Sequence, residues 1–489
     1  MLQFLIQHVF TEVRGSTRAF REAFKVPVYE KAFRWKMPYD EPEVKEWVYF
    51  YEDDRILTGL VNLARIRAES QELPWTEVDQ RRWPKIPKEV DLGAIISRVG
   101  FEHRPYQYSA VERLVKCKRG IWAACTAAGK TTMLALAIHR LQLPTLVLTP
   151  PARKDIAVDS TTFFKETFGL PARFCNRKLE DGDLVVSGAS LLFSRLKRDP
   201  KGTKRWLSRF QLLALDECHE LSDGLHRLLP LVPAPYRVFM TGTPNPQDEV
   251  RATRMMAHSG PIMLRATTEE MVAQGYVAQP FVAQVRYWHE YGFRPGTEYG
   301  EVYEEAVVLN QDRNDFVAKV THILRAQGHS VLVTVPWKRH CYLLGSTIKE
   351  SVVYTGDQST ELRQDIRQAM RVGDVKVVVG NNPAEVGISI PAISAIVVAG
   401  GGKAPCQVIQ RVGRGMRLKD SGDDRLLVVD IADEIGMNVP TGFRSLKGIS
   451  QQVDKRKNLY LAEGMKVLPL CTTLSELIAV GEKFRRTDA

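Results

Sequence analysis

The sequence lacks several things, and each absence narrows its class. No apolar run approaches the roughly 18 residues of a membrane span, and the longest candidates are broken by Gly or Pro. A membrane partner is therefore not expected. The amino terminus, MLQFLIQHVF, has no basic residue ahead of its apolar stretch and no small-residue cleavage site, so it does not read as a signal peptide. The seven cysteines form no CxxC pair, and an odd number cannot all pair internally, which fits a reducing, intracellular, cytoplasmic setting. There is no low-complexity tract. What is present suits a packed, soluble protein: 44% hydrophobic and 26% charged residues over 489 positions predict about three domains at roughly 100 to 200 residues each. A single small binding module is excluded. The net charge is +11 with pI about 9.2, a balance that favours a polyanionic partner. Of that excess, +8 falls between residues 101 and 270.

The apolar pattern repeats one plan twice. IWAAC, TLVLTP, DLVVSG, LLALDE and RVFMTGTP alternate with helical stretches, and SVLVTV, SVVYTG, KVVVGN, AIVVAG and RLLVVDI repeat the pattern further along. Strands separated by helices imply parallel sheets covered on both faces. The expected class is α/β: two tandem parallel-sheet domains, 96–268 and 269–440. A small α+β accessory domain at 1–95 precedes them, and a helical extension at 441–489 follows. The accessory domain should hold strand-like residues over 2–13, a helix from about Ser16, and a hairpin turning at Asp53 and Asp54.

Three motifs carry chemistry. Thr126, Ala127, Ala128, Gly129, Lys130, Thr131 and Thr132 lie between the strand IWAAC and an apolar helix. Backbone N–H groups and a helix N-terminus can hold a triphosphate there, Lys130 can reach its outer phosphates, and the Thr131 hydroxyl can ligate magnesium. Ala stands where the full GxxxxGKT pattern has its first glycine, and a plain strand-to-helix turn is the alternative. The second motif ends the strand LLALDECH: Asp216 suits the magnesium held by Thr131, and Glu217 suits the attacking water. The third is Gln410-Arg411-Val412-Gly413-Arg414-Gly415-Met416-Arg417. Arg414 and Arg417 lie on one side of a helix and can act as arginine fingers on the transferring phosphoryl group, provided the two domains close over ATP. A solvated basic helix end or a DNA-phosphate patch is the alternative.

Taken together, the motifs resemble those of superfamily 2 DExH-type helicases, in that family's order, over about 100–435. The resemblance implies two RecA-like motor domains that translocate on nucleic acid by hydrolysing ATP with Mg2+. It implies that Gln107, with Arg104 and Tyr106, reads adenine, that Glu385 and Gly387 belong to a nucleotide-contacting motif, and that Gln410 joins the catalytic set. Ser389 stands where that motif often carries Asp. Thr241 and Thr243 are implied to couple hydrolysis to strand contacts, and Pro150, Arg153, Ser187 and Gly188 to grip the strand.

Between Arg195 and Arg209 seven basic residues face one acid, with Trp206 among them. Lys197, Arg198, Lys204, Arg205 and Trp206 are candidate nucleic-acid contacts by charge and stacking; a solvated helix is the alternative. KAFRWKMPY at 31–39 is similar in kind, or one core face of a strand. Within the superfamily, the amino-terminal segments and residues 269–277 resemble phage branch-migration helicases of the UvsW, RecG and XPB group, whose setting would be a host cytoplasm. The expectation is an ATP-dependent DNA helicase acting on forks and Holliday junctions in recombination, repair or replication restart, with a monomer favoured and RNA a lesser partner. A translocase subunit of a restriction or repair complex and a non-catalytic nucleic-acid clamp are the competing readings.

Overall fold

The computed structural model describes residues 1–29, 44–150, 154–242, 249–294, 296–381, 393–400, 412, 416, 425–446 and 448–485. The chain divides into two compact units, Met1–Ala124 with Gly129–Arg265, and Cys125–Ala128 with Ala266–Ala489.

In the first unit, β1 (Leu2–Ile6) and β2 (Phe10–Arg14) are antiparallel. The segment expected to be strand-like is thus two strands. Leu2, Phe4 and Ile6 are buried before the turn, whereas Thr11 and Val13 are buried after it. That shift from even to odd positions is impossible in one continuous strand. Thr17 caps α1 (Arg18–Glu22) by accepting from the Phe20 N–H, and β3 (Lys25–Tyr29) pairs with β4 (Val44–Tyr49) in a two-stranded sheet of its own. The hairpin at Asp53 and Asp54 joins β5 (Tyr51–Glu52) to β6 (Arg55–Leu57). Both aspartates have positive φ, 47° and 56°, as a two-residue primed turn requires. After α2 (Val61–Ser70), β7 (Trp75–Asp79) pairs with β1 in parallel, giving the order β5-β6-β2-β1-β7.

Two helices, α3 (Leu92–Arg98) and α4 (Pro105–Cys117), lead into the first large parallel sheet. Its strands are β8 (Arg119–Ala124), β9 (Thr145–Thr149), β10 (Ala172–Cys175), β11 (Leu184–Gly188), β12 (Leu212–Leu215), β13 (Tyr236–Thr241) and β14 (Ile262–Ala266). Their order is β10-β11-β9-β12-β13-β8-β14, and the ladders from β10 through β8 are parallel. The connecting helices are α5 (Lys130–Leu141), α6 (Lys154–Thr162), α7 (Ala189–Arg198), α8 (Pro200–Leu207), α9 (Asp223–Leu228) and α10 (Glu249–Ser259). β8, β9 and β12 are buried at every position, the mark of strands covered on both faces. The accessory sheet shares one core with α10, since Phe4, Phe20 and Leu60 cluster with Val250 and Ala257. Gly59 makes the approach possible: a Cβ there would overlap the carbonyl oxygens of Met256 and Ala257.

The second unit repeats the plan with β15 (Gln279–His289), β16 (Val331–Thr334), β17 (Ser351–Tyr354), β18 (Val377–Gly380), β19 (Ala395–Val398), β20 (Arg425–Ile435) and β21 (Lys466–Val467). The order is β17-β18-β16-β19-β20-β15-β21, again through parallel ladders. The carboxy-terminal extension supplies helices Ile449–Ala462 and Leu474–Glu482, and also β21, so it completes this sheet as well as covering it. Two buried ion pairs clamp helices to β20: Arg313 to Asp433 at 2.6 Å and Arg456 to Asp430 at 2.9 Å.

Candidate active site

The chemistry-bearing residues of the first unit gather at one edge of its sheet, because parallel strands all end on the same side. Lys130 follows β8, Pro150 follows β9, Gly188 ends β11, Asp216 and Glu217 follow β12, and Thr241 ends β13. In the loop after β8, Ala127 adopts a positive φ of 71° and Gly129 one of 78°. The Gly129 conformation opens α5 in the left-handed region, where glycine is unstrained. No side chain caps this helix start, which leaves its first turn suited to an anion. A Cβ on Gly129 would come within 2.6 Å of the Gln107 amide nitrogen. Gln107 is buried against the loop, in the first turn of α4, which Arg104 precedes and Pro105 opens. Tyr106 is half-buried, and Arg104 pairs with Glu102 at 3.3 Å.

Lys130 Nζ donates to the Ala124 carbonyl at 3.1 Å. Thr131 is half-buried beside it and Thr132 is buried. Across the sheet, the Glu217 N–H donates to Asp216 Oδ1 at 2.9 Å. Glu217 itself has φ of 46°, a strained conformation for a non-glycine residue and one that gathers at functional sites. Burial pushes the Cys218 thiol well up, the Glu217 and Asp216 carboxylates add to this, and the Lys130 charge opposes it. Motif lysine and both acids therefore act on one point, and Cys218 stays a neutral core thiol.

Sequence reasoning assigned His219 no task of its own. It is buried, with Nδ1 3.0 Å from Thr241 Oγ1 and 3.4 Å from Glu217 Oε2. A proton on Nδ1 suits both oxygens, and it ties the acidic motif to the end of β13. Its position two residues after Glu217 was the available signal. The Arg251 guanidinium donates to the His219 carbonyl at 3.5 Å; nothing in the sequence marked that residue.

Two expectations are corrected. Trp206 is a core residue: it packs with Leu207 and Phe210, and its indole N–H donates to the Glu180 carbonyl at 2.9 Å. Its ring cannot stack on a base. Ser187 is fully buried and its hydroxyl donates to the Gly188 carbonyl at 3.2 Å, so of that pair only Gly188 is accessible at the strand end. Lys197, Arg198, Lys204 and Arg205 are exposed. Arg153, Thr243, Glu385, Gly387, Gln410, Arg414 and Arg417, together with the 31–39 segment, lie outside the described residues.

The residues present suit a nucleoside triphosphate with magnesium. Thr131 offers a hydroxyl and Asp216 a carboxylate, both hard oxygen ligands. Among the described residues no cluster of three or more His, Cys, Asp or Glu side chains could hold a metal.

Comparison with known proteins agrees with this arrangement. Residues 100–246 match the family described as type III restriction enzyme, res subunit, and residues 314–419 match the helicase conserved C-terminal domain. A DNA 3'-5' translocase XPB2 of Sulfurisphaera tokodaii is 24% identical over 65% of this chain and 79% of its own. The chain spans 52% and 60% of the length of two further relatives, from Haloarcula marismortui and Kineococcus radiotolerans. Among solved structures, Dbp5 of S. cerevisiae, bound to RNA and ADP BeF3, aligns over 81% of this chain and 97% of its own with TM-score 0.53 and 15% identity. UvsW of bacteriophage T4 aligns over 96% and 99% with TM-score 0.40 and 16% identity. With one of these two models matched on each parallel sheet, in the order the motifs require, the chain is identified as an ATP-dependent helicase that resembles those of superfamily 2.

Proposed function

We propose that this helicase is a DNA translocase that remodels branched DNA, forks and Holliday junctions among them, in recombination, repair or the restart of replication. The observation that carries the motor part is the convergence of Lys130, Asp216, Glu217, His219 and Thr241 at one strand edge. In this reading Lys130 and the first turn of α5 hold the ATP phosphates. Gln107, Arg104 and Tyr106 read adenine, and Glu217 orients the attacking water and takes its proton. Thr131 and Asp216 would hold magnesium, which supplies charge neutralisation on the phosphates. His219 passes the state of Glu217 to Thr241. Arg414, Arg417 and Gln410 are proposed to complete the catalytic set, with Glu385 and Gly387 near the nucleotide, and Pro150, Arg153, Gly188 and Thr243 to serve the strand.

DNA as substrate is supported by the names of several relatives, a DNA translocase and DNA helicases; RNA helicases also occur among them. Branched DNA is supported by the likeness of the amino-terminal segments to branch-migration helicases. A second reading, a translocase subunit within a restriction complex, is favoured by the match of 100–246 to a restriction-enzyme family.

The test is the ATPase rate with no nucleic acid, single-stranded DNA, duplex, a synthetic fork and RNA of equal length, with Glu217→Gln as the blank. Preference for the fork is expected. Equal stimulation by plain duplex would favour the translocase subunit, and preference for RNA would overturn the DNA assignment.

A further inference from the structure

We propose that α7 and α8 form a second nucleic-acid surface, which holds a duplex arm by its phosphates at the edge of the first motor sheet opposite the motif residues. The inference rests on the translocase reading and adds the place and form of a second contact.

The placement follows from the chain path. α7 begins beyond Gly188, the last residue of β11, at the edge that carries Lys130 and Asp216. Its ten residues, at about 1.5 Å rise each, carry the chain back along the strand by about 15 Å. The end of α8 is then pinned at the far edge. Trp206 donates to Glu180 O at 2.9 Å, and the Arg209 guanidinium reaches Asp181 Oδ1 and Glu180 O, each at 2.7 Å. Both acceptors lie just before β11 begins. Leu212 N donates to Pro144 O at 3.0 Å, just before β9. A strand engaged by the motif edge therefore does not lie on this surface.

The charge there is uncompensated. Lys197, Arg198, Lys201, Lys204 and Arg205 are exposed, and no described residue pairs with their side chains. Asp199, the one acid of the segment, is spent on capping α8, accepting from the Gly202 N–H at 2.8 Å. Cations at a helix C-terminus gain about 0.3 to 1 kcal/mol from the macrodipole. That accounts for one or two of them, not for five repelling one another. Lys201, Lys204 and Arg205 stand three and four apart and share one face of α8.

The form of the partner follows from what the surface lacks. Single-strand sites combine cations with aromatic platforms for bases. Here Trp206 and Phe210 are buried, and none of the exposed large apolar side chains among the described residues lies between 189 and 209. Point charges alone read phosphates, and a duplex presents them densely without regard to sequence.

The test is the fivefold variant Lys197→Ala, Arg198→Ala, Lys201→Ala, Lys204→Ala, Arg205→Ala in the full chain. Binding of a fork, a duplex and a single strand is followed by anisotropy from about 50 to 200 mM salt. ATPase at saturating single strand should be unchanged. Fork and duplex affinity should fall, and the slope of log affinity against log salt should become shallower by about 4.5, at about 0.9 for each of five phosphate contacts. The charge-preserving variant Lys204→Arg, Arg205→Lys should retain wild-type affinity. An unchanged duplex slope, with the wild type still stimulated by DNA, overturns the surface alone. An equal loss on single strands overturns the duplex assignment. A wild type that no polynucleotide stimulates overturns the translocase reading beneath it.

Discussion

The two motor sheets share a plan but place their charges oppositely. In the first, carboxylates stand at the strand ends, as Asp216 and Glu217 do, while a cation buried within a strand sits among backbone carbonyls. Arg237, buried in β13, bonds the carbonyls of Ala234, Leu229, Val232 and His258, and burial draws its guanidinium down to about 10. In the second, the acids are inside. Asp430 and Asp433 sit within β20, fully buried and matched by Arg456 and Arg313. Burial alone would raise the Asp433 carboxyl, but the Arg313 charge and the bonds from His289 and Arg313 outweigh it and hold it well below the usual range. One sheet carries its acids at the strand ends, where the proposed chemistry lies, and the other carries them inside, where they clamp helices to a strand. A change of charge should therefore cost activity in the first and stability in the second.

Glu217→Gln is the largest expected break in that contrast. It keeps the shape and removes the base, so ATP turnover should fall by about 10²- to 10⁴-fold, with the unfolding midpoint little changed. An ATPase near wild type would remove Glu217 from its proposed role. Arg313→Ala should do the reverse. Stranding the Asp433 carboxylate in the interior costs about 3 to 5 kcal/mol, read as a lower midpoint in urea or heat. Exchanging Arg456 and Asp430 together for apolar residues of similar volume should cost far less, because neither charge is left alone.

These contrasts were only partly legible in the sequence. Both parallel sheets were, because apolar strands buried on both faces read as short continuous runs between helical stretches. The primed turn was legible in Asp53-Asp54, though its strands are shorter than the pattern suggested: the segment before Tyr51 turns away to pair with β3. Trp206 misled, since an aromatic among cations reads as a stacking platform, whereas its amphipathic ring spans a core and one carbonyl. Asp430 and Asp433 drew no reading at all: that they meet Arg456 and Arg313 depends on helices 26 and 120 residues away, contacts no local pattern carries. His219 was visible as a letter, but its bond to Thr241 forms only when β12 and β13 become neighbours.

Acid sharpens the comparison by separating histidines from ion pairs. His340 is buried in the second unit with Nε2 2.9 Å from Asn314 Oδ1. Burial, and then the Arg313 charge, draw it down to about 3 from 6.5. The folded state therefore keeps it neutral while the unfolded chain takes a proton below 6.5, so stability falls as pH drops from about 6.5 toward 3. Between pH 7 and 5 this group alone should cost about 2 kcal/mol. Asp433 behaves otherwise: its carboxyl is depressed, so its contribution is present above the unfolded value and is lost only as pH falls below about 4. Urea titrations at pH 7 and 5 should show His340→Gln losing about 2 kcal/mol less than the wild type over that interval. Equal losses would mean that His340 takes up its proton in the folded state.

The smallest expected effect lies at the link between the two strand-end motifs. Thr241 is fully buried, and its hydroxyl stands 3.0 Å from His219 Nδ1. Thr241→Val keeps the volume but removes that partner, at about 1 kcal/mol for the bond and up to about 3 if His219 is left unsatisfied. His219 also lies 3.4 Å from Glu217 Oε2, so the imidazole can turn wholly toward the carboxylate. ATP hydrolysis should then persist within a few-fold of wild type, while strand displacement per ATP falls, because the end of β13 no longer senses Glu217. Measured together on one fork substrate, a proportional fall in both rates would assign Thr241 to the hydrolytic site itself. Unchanged displacement per ATP would mean that the hydroxyl holds His219 in place without transmitting anything.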